Sequence, residues 1–201
     1  LPSIYIGMAG FGTSPNILCD QLLTLQVPMF SETPEEPIDN KILEANFKLH
    51  PHYNEILDIG CGPGRMGKNL EGRYDAIDGI DINPNYLEYA SKQKLYRELI
   101  CGDANEELKK LSKTYDLITM CMILDYLPGK HTLKLAAERL KPEGLLAFGF
   151  MPSSTYNENP YFSATYYEPQ FFQEILPGFT LKKYIFKPYM WSGGYYVLLS
   201  K

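Results

Sequence analysis

From residue 53 onward the chain alternates short apolar runs with stretches whose apolar residues recur at helical spacing. The runs Glu55 to Ile59, Tyr74 to Ile80, Glu98 to Cys101, Tyr115 to Cys121 and Leu145 to Phe150 each have strand length. Between them, a helix is predicted from about Arg65, a second by Leu87, Ala90 and Leu95 after Asn83-Pro84, and a third over Thr132 to Leu140. Four strand–helix units in series predict a parallel sheet covered on both faces, since parallel neighbours need crossover connections. Two further β-prone runs, Phe179 to Lys187 and Tyr195 to Ser200, flank Trp191-Ser192-Gly193-Gly194 and predict a closing antiparallel hairpin. The expected class is a doubly wound α/β fold with helices on both faces.

Residues 1–52 differ in composition. Gly7, Gly10, Gly12 and Pro15 make an irregular start, Ile17 to Val27 has helical spacing, Pro28 to Pro37 is rich in proline and glutamate, and a second helix is predicted from Ile38 to about Leu49. The expected division is an N-terminal helical cap or lid over 1–52 and a ligand-binding domain over 53–201.

The densest chemical signal is Leu57-Asp58-Ile59-Gly60-Cys61-Gly62-Pro63-Gly64. A strand delivering Gly60, Gly62 and Gly64 into a tight turn lets the backbone lie against a ligand. Asp58 decides which ligand. A carboxylate there repels a pyrophosphate but attracts a sulfonium or ammonium. The spacing is also G-x-G-x-G, with Arg65 where the dinucleotide fingerprint has its last glycine. Asp81, at the tip of the second run, lies where an acid can hold two ribose hydroxyls, and Asp103 within Gly102-Asp103-Ala104 lies beside the same crevice, able to accept from an adenine amino group. Both acids also suit helix N-caps.

These stretches, with Gly79-Ile80-Asp81-Ile82, Tyr115-Asp116-Leu117-Ile118 and Leu140-Lys141-Pro142-Glu143-Gly144-Leu145, resemble the class I S-adenosylmethionine-dependent methyltransferases over roughly residues 53–201. The resemblance implies a Rossmann-like, seven-stranded mixed sheet with S-adenosylmethionine as cofactor. It also implies a cofactor site of Asp58, Gly60, Cys61, Gly62, Gly64, Asp81, Ile82, Asp103, Ala104 and Cys121. In such a site the glycine loop lies under the methionyl and ribose groups. The chain departs from the family at Glu143, where many members have glycine, and at Asp125, where many have histidine. Tyr96, Phe162 to Tyr166 and Tyr195 to Leu199 look, more loosely, like a branch of methyltransferases sometimes joined to tetratricopeptide repeats; no repeat is visible here.

A sulfonium methyl is already electrophilic, so the protein has chiefly to hold a nucleophile in line and exclude water. A base is needed only where the acceptor must lose a proton. Asp125, Tyr126, His131 and Glu168 follow the fourth strand or lie in later loops, and Tyr126 and His131 are the candidates taken forward. Met151 to Tyr167, with five aromatic residues, is the candidate acceptor wall. Asp116 reads as a strand-start residue away from the ligand, Cys61 and Cys121 as small apolar fillers, and His50 and His52 as surface or packing residues, with no metal site expected.

A net charge of −5 without dense basic clusters argues against nucleic acid. No apolar stretch reaches the ~18 residues of a membrane span. Cys19, Cys61, Cys101 and Cys121 show no framework spacing, so reduced thiols and a cytoplasmic setting are expected. The leading expectation is a methyltransferase acting on an O, N or C nucleophile of a small-molecule acceptor. A protein acceptor, a catalytically silent binding module and a nicotinamide-dependent oxidoreductase are the alternatives, and the residues leave the oligomeric state open.

Overall fold

Successive side chains along each central strand enter two different cores, which is how the sequence commits both faces of the sheet to burial. In β1 (Tyr53–Ile59), Leu57 and Ile59 pack on one side while Tyr53 and Ile56 pack on the other. In β4 (Tyr115–Met120), Ile118 and Met120 oppose Leu117, and in β5 (Leu140–Phe150), Leu146 and Phe148 oppose Leu145 and Ala147. Strands whose successive residues are buried, as over 56–59, 117–120 and 144–150, belong to a sheet with no solvent face. The computed structural model describes residues 52–121, 123–150, 169–187 and 194–201. The expected lid over 1–52, apart from His52, lies outside the described residues, as do the Met151 to Tyr167 wall and the hairpin turn as far as Gly193.

The element order is β1, α1 (Arg65–Asn69), β2 (Tyr74–Asp81), α2 (Pro84–Lys92), β3 (Glu98–Cys101), α3 (Ala104–Lys110), β4, a 3-10 turn (Leu124–Tyr126), α4 (Gly129–Glu138), β5, α5 (Pro169–Ile175), β6 (Thr180–Lys187) and β7 (Gly194–Ser200). The sheet order is β3-β2-β1-β4-β5-β7-β6. The first five strands are parallel; β7 runs antiparallel to both β5 and β6. This is the Rossmann-like seven-stranded mixed sheet. The order reverses between β1 and β4, the switch point outside whose carboxyl ends ligands of open α/β sheets bind.

The larger core takes Leu108 of α3, Leu133 and Ala136 of α4, and Phe172 of α5 onto β4, β5 and β7. Phe172 meets Phe148 edge-on at 5.3 Å between centroids. On the other face, Met66 and Leu70 cover Ile56, Ile77 and Leu117. Asn83 caps α2, its side chain accepting from the Asn85 N–H, and Pro84 follows at the first helical position, where no donor is needed.

Two polar clusters tie the strands together. Fully buried Asp78 accepts from Arg97, whose guanidinium also reaches Glu55, and from the Tyr115 hydroxyl. Burial pushes the Asp78 carboxyl up, but Arg97 and Lys113 more than offset this and hold it below the usual carboxylate range. Asp116 does more than start a strand: it accepts from the Glu55 N–H at 2.8 Å and from Lys141 Nζ at 3.0 Å, joining β1, β4 and β5.

β5 starts earlier than the apolar run suggests. Leu140 pairs with Tyr115 and Leu145 with Leu117, so Lys141-Pro142-Glu143-Gly144 forms an irregularity within the strand. Glu143 sits there at φ 63°, in the left-handed region.

Candidate functional site

The site is built on the carboxyl ends of β1, β2, β3 and β4. After Ile59, the Gly60 and Cys61 N–H groups both donate to the Ile80 carbonyl, at 2.7 and 3.1 Å, turning the chain across the end of β2. Gly60, Gly62 and Gly64 have φ values of 70°, 51° and 92°, which L side chains rarely adopt. At Gly62 an added Cβ would meet nothing within 4 Å, so the loop faces open space there. At Gly60 it would come within 2.7 Å of Ile123, which follows β4 and lies against the loop.

Asp81, at the tip of β2, is half-buried and reaches under this turn. One carboxylate oxygen accepts from the Gly62 N–H at 2.8 Å and the other from the Asn83 N–H at 2.8 Å. Burial raises its carboxyl above the ordinary value, and the backbone donors oppose that. The Gly102 N–H donates to the Asp81 carbonyl at 3.1 Å, holding the tips of β2 and β3 side by side. There Asp103 caps α3, one oxygen accepting from the Asn105 and Glu106 N–H groups. Ala104 is buried as the first residue of α3, and Ile82 is half-buried after β2.

Asp58 lies beneath the loop rather than in the crevice. It is 1 % exposed, and its oxygens accept from the Tyr96 hydroxyl at 2.7 Å and the Thr119 hydroxyl at 2.8 Å. Burial pushes its carboxyl up to about 6, against both hydrogen bonds, with the charge of Asp81 adding to the rise. Cys61 is buried next to both acids; burial and their charges push its thiol far up, so it is a filler and not a nucleophile. Cys121 is half-buried and packs with Tyr74 and Tyr96 against the smaller core. Among the described residues, Cys61, Cys101 and Cys121 are not joined in disulfides.

The candidate bases lie beyond β4. Tyr126 ends the 3-10 turn and is 59 % exposed. His131 is exposed in the first turn of α4, within electrostatic reach of Glu106 on α3. Asp125 shares the 3-10 turn with Tyr126; Glu168 lies outside the described residues. His52 pairs with Asp75 at the surface at 2.8 Å. Among the described residues no group of His, Cys, Asp and Glu could hold a metal ion, and no helix is long and apolar enough to cross a membrane.

Tyr96 and Ile123 were not singled out as site residues from the sequence. Their signal lies in the glycines: a Cβ at Gly64, Gly67 or Gly79 would press on the Tyr96 ring, and one at Gly60 on Ile123. Glycines on separate elements that clear one aromatic side chain become readable once the elements are placed.

An adenosine-cofactor domain of the doubly wound α/β type is the class that this sheet and this turn define. Residues 56–144 match the model of the family described as "Methyltransferase domain". The chain is 29 % identical over 128 residues to the ubiquinone biosynthesis O-methyltransferase of Coxiella burnetii, covering 61 % of this chain and 51 % of that one. It is 31 % identical over 126 residues to the protein of that name from Saccharophagus degradans, covering 59 % and 51 %. The chain thus spans about half the length of the curated relatives it matches. Among solved structures, the N-methyltransferase NodS of Bradyrhizobium japonicum WM9, in complex with S-adenosylhomocysteine, superposes with a TM-score of 0.71 at 17 % identity, covering 92 % of this chain and 98 % of that one. Magnesium protoporphyrin IX methyltransferase from Synechocystis PCC 6803 superposes with a TM-score of 0.68 at 13 % identity, covering 93 % and 96 %. Residues 56–144 thus match a methyltransferase domain, and the chain is similar in fold to the class I S-adenosylmethionine-dependent methyltransferases, the class whose cofactor is S-adenosylmethionine.

Proposed function

We propose that this protein binds S-adenosylmethionine over Gly60 to Gly64 and transfers its methyl group in line to a nucleophile of a small-molecule acceptor. The observation that carries the reading is the joint made by Asp81 with the Gly62 N–H, which brings an acid to the open side of the glycine loop. When bound, the cofactor supplies an electrophilic methyl, so the chain's own work is binding, orientation and exclusion of water. Asp81, whose oxygens keep lone pairs beyond their backbone bonds, receives the ribose hydroxyls, and Ile82, Asp103 and Ala104 flank the adenine. Cys61 and Cys121 fill the space behind the methionyl side. Asp58 acts from beneath the loop, its charge favouring a cationic methionyl group, while Tyr126 or His131 takes a proton where the acceptor must lose one.

The loop suits the cofactor: Gly62 opens onto free space and the Asp81 carboxylate stands beside it, as a ribose needs. The relatives named O-methyltransferases favour an oxygen nucleophile on a small molecule. The proposed setting is the cytoplasm, and the proposed organisation keeps 1–52 as a cap or lid on the domain 53–201. Calorimetric titration with S-adenosylhomocysteine, with reduced nicotinamide dinucleotide in parallel, tests the reading. Saturable binding of the homocysteine compound alone is expected; binding of the nicotinamide alone would overturn it in favour of an oxidoreductase.

A further inference from the structure

The helix that follows the glycine loop lacks a cap of its own. α1 begins after Gly64, which has no side chain to offer, so the N–H groups of its first turn need partners from elsewhere. The Gly67 N–H, at the position an N-cap side chain ordinarily serves, donates to the Tyr96 hydroxyl at 3.2 Å. That hydroxyl donates in turn to Asp58 at 2.7 Å, and Thr119 of β4 donates to the other Asp58 oxygen. A continuous relay therefore runs from the first turn of α1, through an aromatic residue 38 positions along the chain from Asp58, to the end of β1 and across to β4. The ring is held in place by absence of side chains: a Cβ at Gly67 would lie 2.8 Å from it, and one at Gly79 2.9 Å. The Gln93 side chain, from the same loop after α2, donates to the Pro63 carbonyl, so this segment grips the glycine turn twice.

We propose that Tyr96 is a positioning residue for the cofactor loop: it caps α1 in trans and orients Asp58, fixing Gly60 to Gly64 in the form that receives the cofactor. The proposal rests on the reading that this loop binds S-adenosylmethionine. Tyr96 touches no reacting atom. Its effect passes through the Gly67 N–H and the Asp58 carboxylate, with Asp81, Cys61 and Tyr74 the other titratable groups that interact with Asp58. Because the Tyr96 hydrogen bond holds the Asp58 carboxyl down against burial, its loss raises the pH at which Asp58 takes up a proton.

The test is calorimetric affinity for S-adenosylhomocysteine between pH 5 and 8 for the wild type, Tyr96→Phe and Thr119→Val, with thermal unfolding of each. Wild-type affinity is expected to fall as the pH drops through about 6, as Asp58 loses the charge that favours the ligand's ammonium group. Tyr96→Phe should bind roughly five- to tenfold more weakly at pH 8, with its fall displaced to higher pH. Thr119→Val should show the same displacement with a smaller loss at pH 8, since Gly67 stays capped. If Tyr96→Phe lowers the melting temperature but leaves the pH midpoint in place, Tyr96 is only a packing residue and the proposal fails. If Tyr96→Phe gives no cooperative melt, Gly67→Ala, whose methyl would displace the ring, takes its place, and an unmoved midpoint there overturns the proposal equally. No binding by the wild type at pH 8 would instead defeat the cofactor reading itself.

Discussion

Asp81 accepts a hydrogen bond from the Gly62 N–H at 2.8 Å across 19 residues of sequence, so the acid at the tip of β2 and the middle of the glycine loop form one unit before any ligand arrives. The same carboxylate takes the Asn83 N–H, which orients the entrance to α2. A side chain with two such duties contributes to ligand affinity directly and through the loop it holds.

Replacing Asp81 should therefore separate by degree. Asp81→Ala removes two charge-assisted bonds of about 1.5 to 3 kcal/mol each and also frees the Gly62 donor, so S-adenosylhomocysteine affinity is expected to fall roughly 10²- to 10⁴-fold with a lowered melting temperature. Asp81→Asn keeps one acceptor for the backbone but turns a donor toward the other N–H, so it should lose affinity with a smaller fall in melting temperature than Asp81→Ala. Isothermal titration and thermal unfolding on both variants check this; unchanged affinity in Asp81→Ala would remove the ribose assignment.

Asp58 should trade stability for binding. Burial raises its carboxyl from 3.8 to about 6, so the folded state holds the proton more tightly than the unfolded chain does. That contribution to stability is complete below the unfolded value near pH 4 and is lost as the pH rises through about 6. At pH 8 the ionised group costs on the order of 3 kcal/mol. Asp58→Asn is expected to be more stable than the wild type at pH 8, with the gap closing as the pH falls from about 7 to 4. The Thr119 hydroxyl, which also lies 3.5 Å from the Leu57 carbonyl, can turn to accept from the new amide. Urea midpoints of both proteins across that range test it, and a variant no more stable at pH 8 would show that Asp58 is not strained by burial.

The sheet was legible in the chain because β1, β4 and β5 each carry adjacent apolar residues, Ile56-Leu57, Leu117-Ile118 and Leu145 to Phe148, a pattern that suits a doubly covered strand. The Asn83-Pro84 helix start was legible for a local reason, since caps act within three residues; Asp103 was read first as a ligand contact with a cap as the alternative, and the short α3 that it caps was not among the expected helices. The start of β5 was not: Lys141-Pro142-Glu143-Gly144 has turn composition, and only its pairing across to Tyr115 draws Leu140 into the strand. Asp58 read correctly as a residue of the loop's strand, but its depth beneath the turn depends on Tyr96 and Thr119, 38 and 61 residues away. Hydrogen bonds of that span leave no periodic trace.

Gly60 should be intolerant of a side chain for two separable reasons. Its φ of +70° disfavours any L residue, and a Cβ would stand 2.7 Å from Ile123 Cγ1. Gly60→Ala is expected to cost about 2 to 4 kcal/mol in urea unfolding and to abolish measurable S-adenosylhomocysteine binding. Adding Ile123→Ala removes the steric part only, so a double-mutant cycle should give a favourable coupling of about 0.5 to 2 kcal/mol while binding stays impaired by the backbone strain. Zero coupling would mean that Ile123 does not press on the loop.

Glu143 offers the opposite experiment, a place where the chain keeps a side chain that the backbone resists. Its φ is 63°, within the irregular stretch of β5 where Leu140 pairs with Tyr115 and Leu145 resumes pairing with Leu117. A non-glycine residue in that region costs about 1 to 2 kcal/mol. Glycine would relieve it but lose about 0.5 to 1 kcal/mol to the greater freedom of the unfolded chain. Glu143→Gly should therefore gain about 0.5 to 1 kcal/mol, seen as a higher urea midpoint with an unchanged slope. Glu143 is exposed and lies in the stretch of β5 that begins beside Tyr115, the amino end of β4, whereas the cofactor loop lies at the carboxyl ends. S-adenosylhomocysteine affinity should accordingly be unmoved. A lower midpoint would mean that the glutamate side chain is held by interactions worth more than the strain of its backbone.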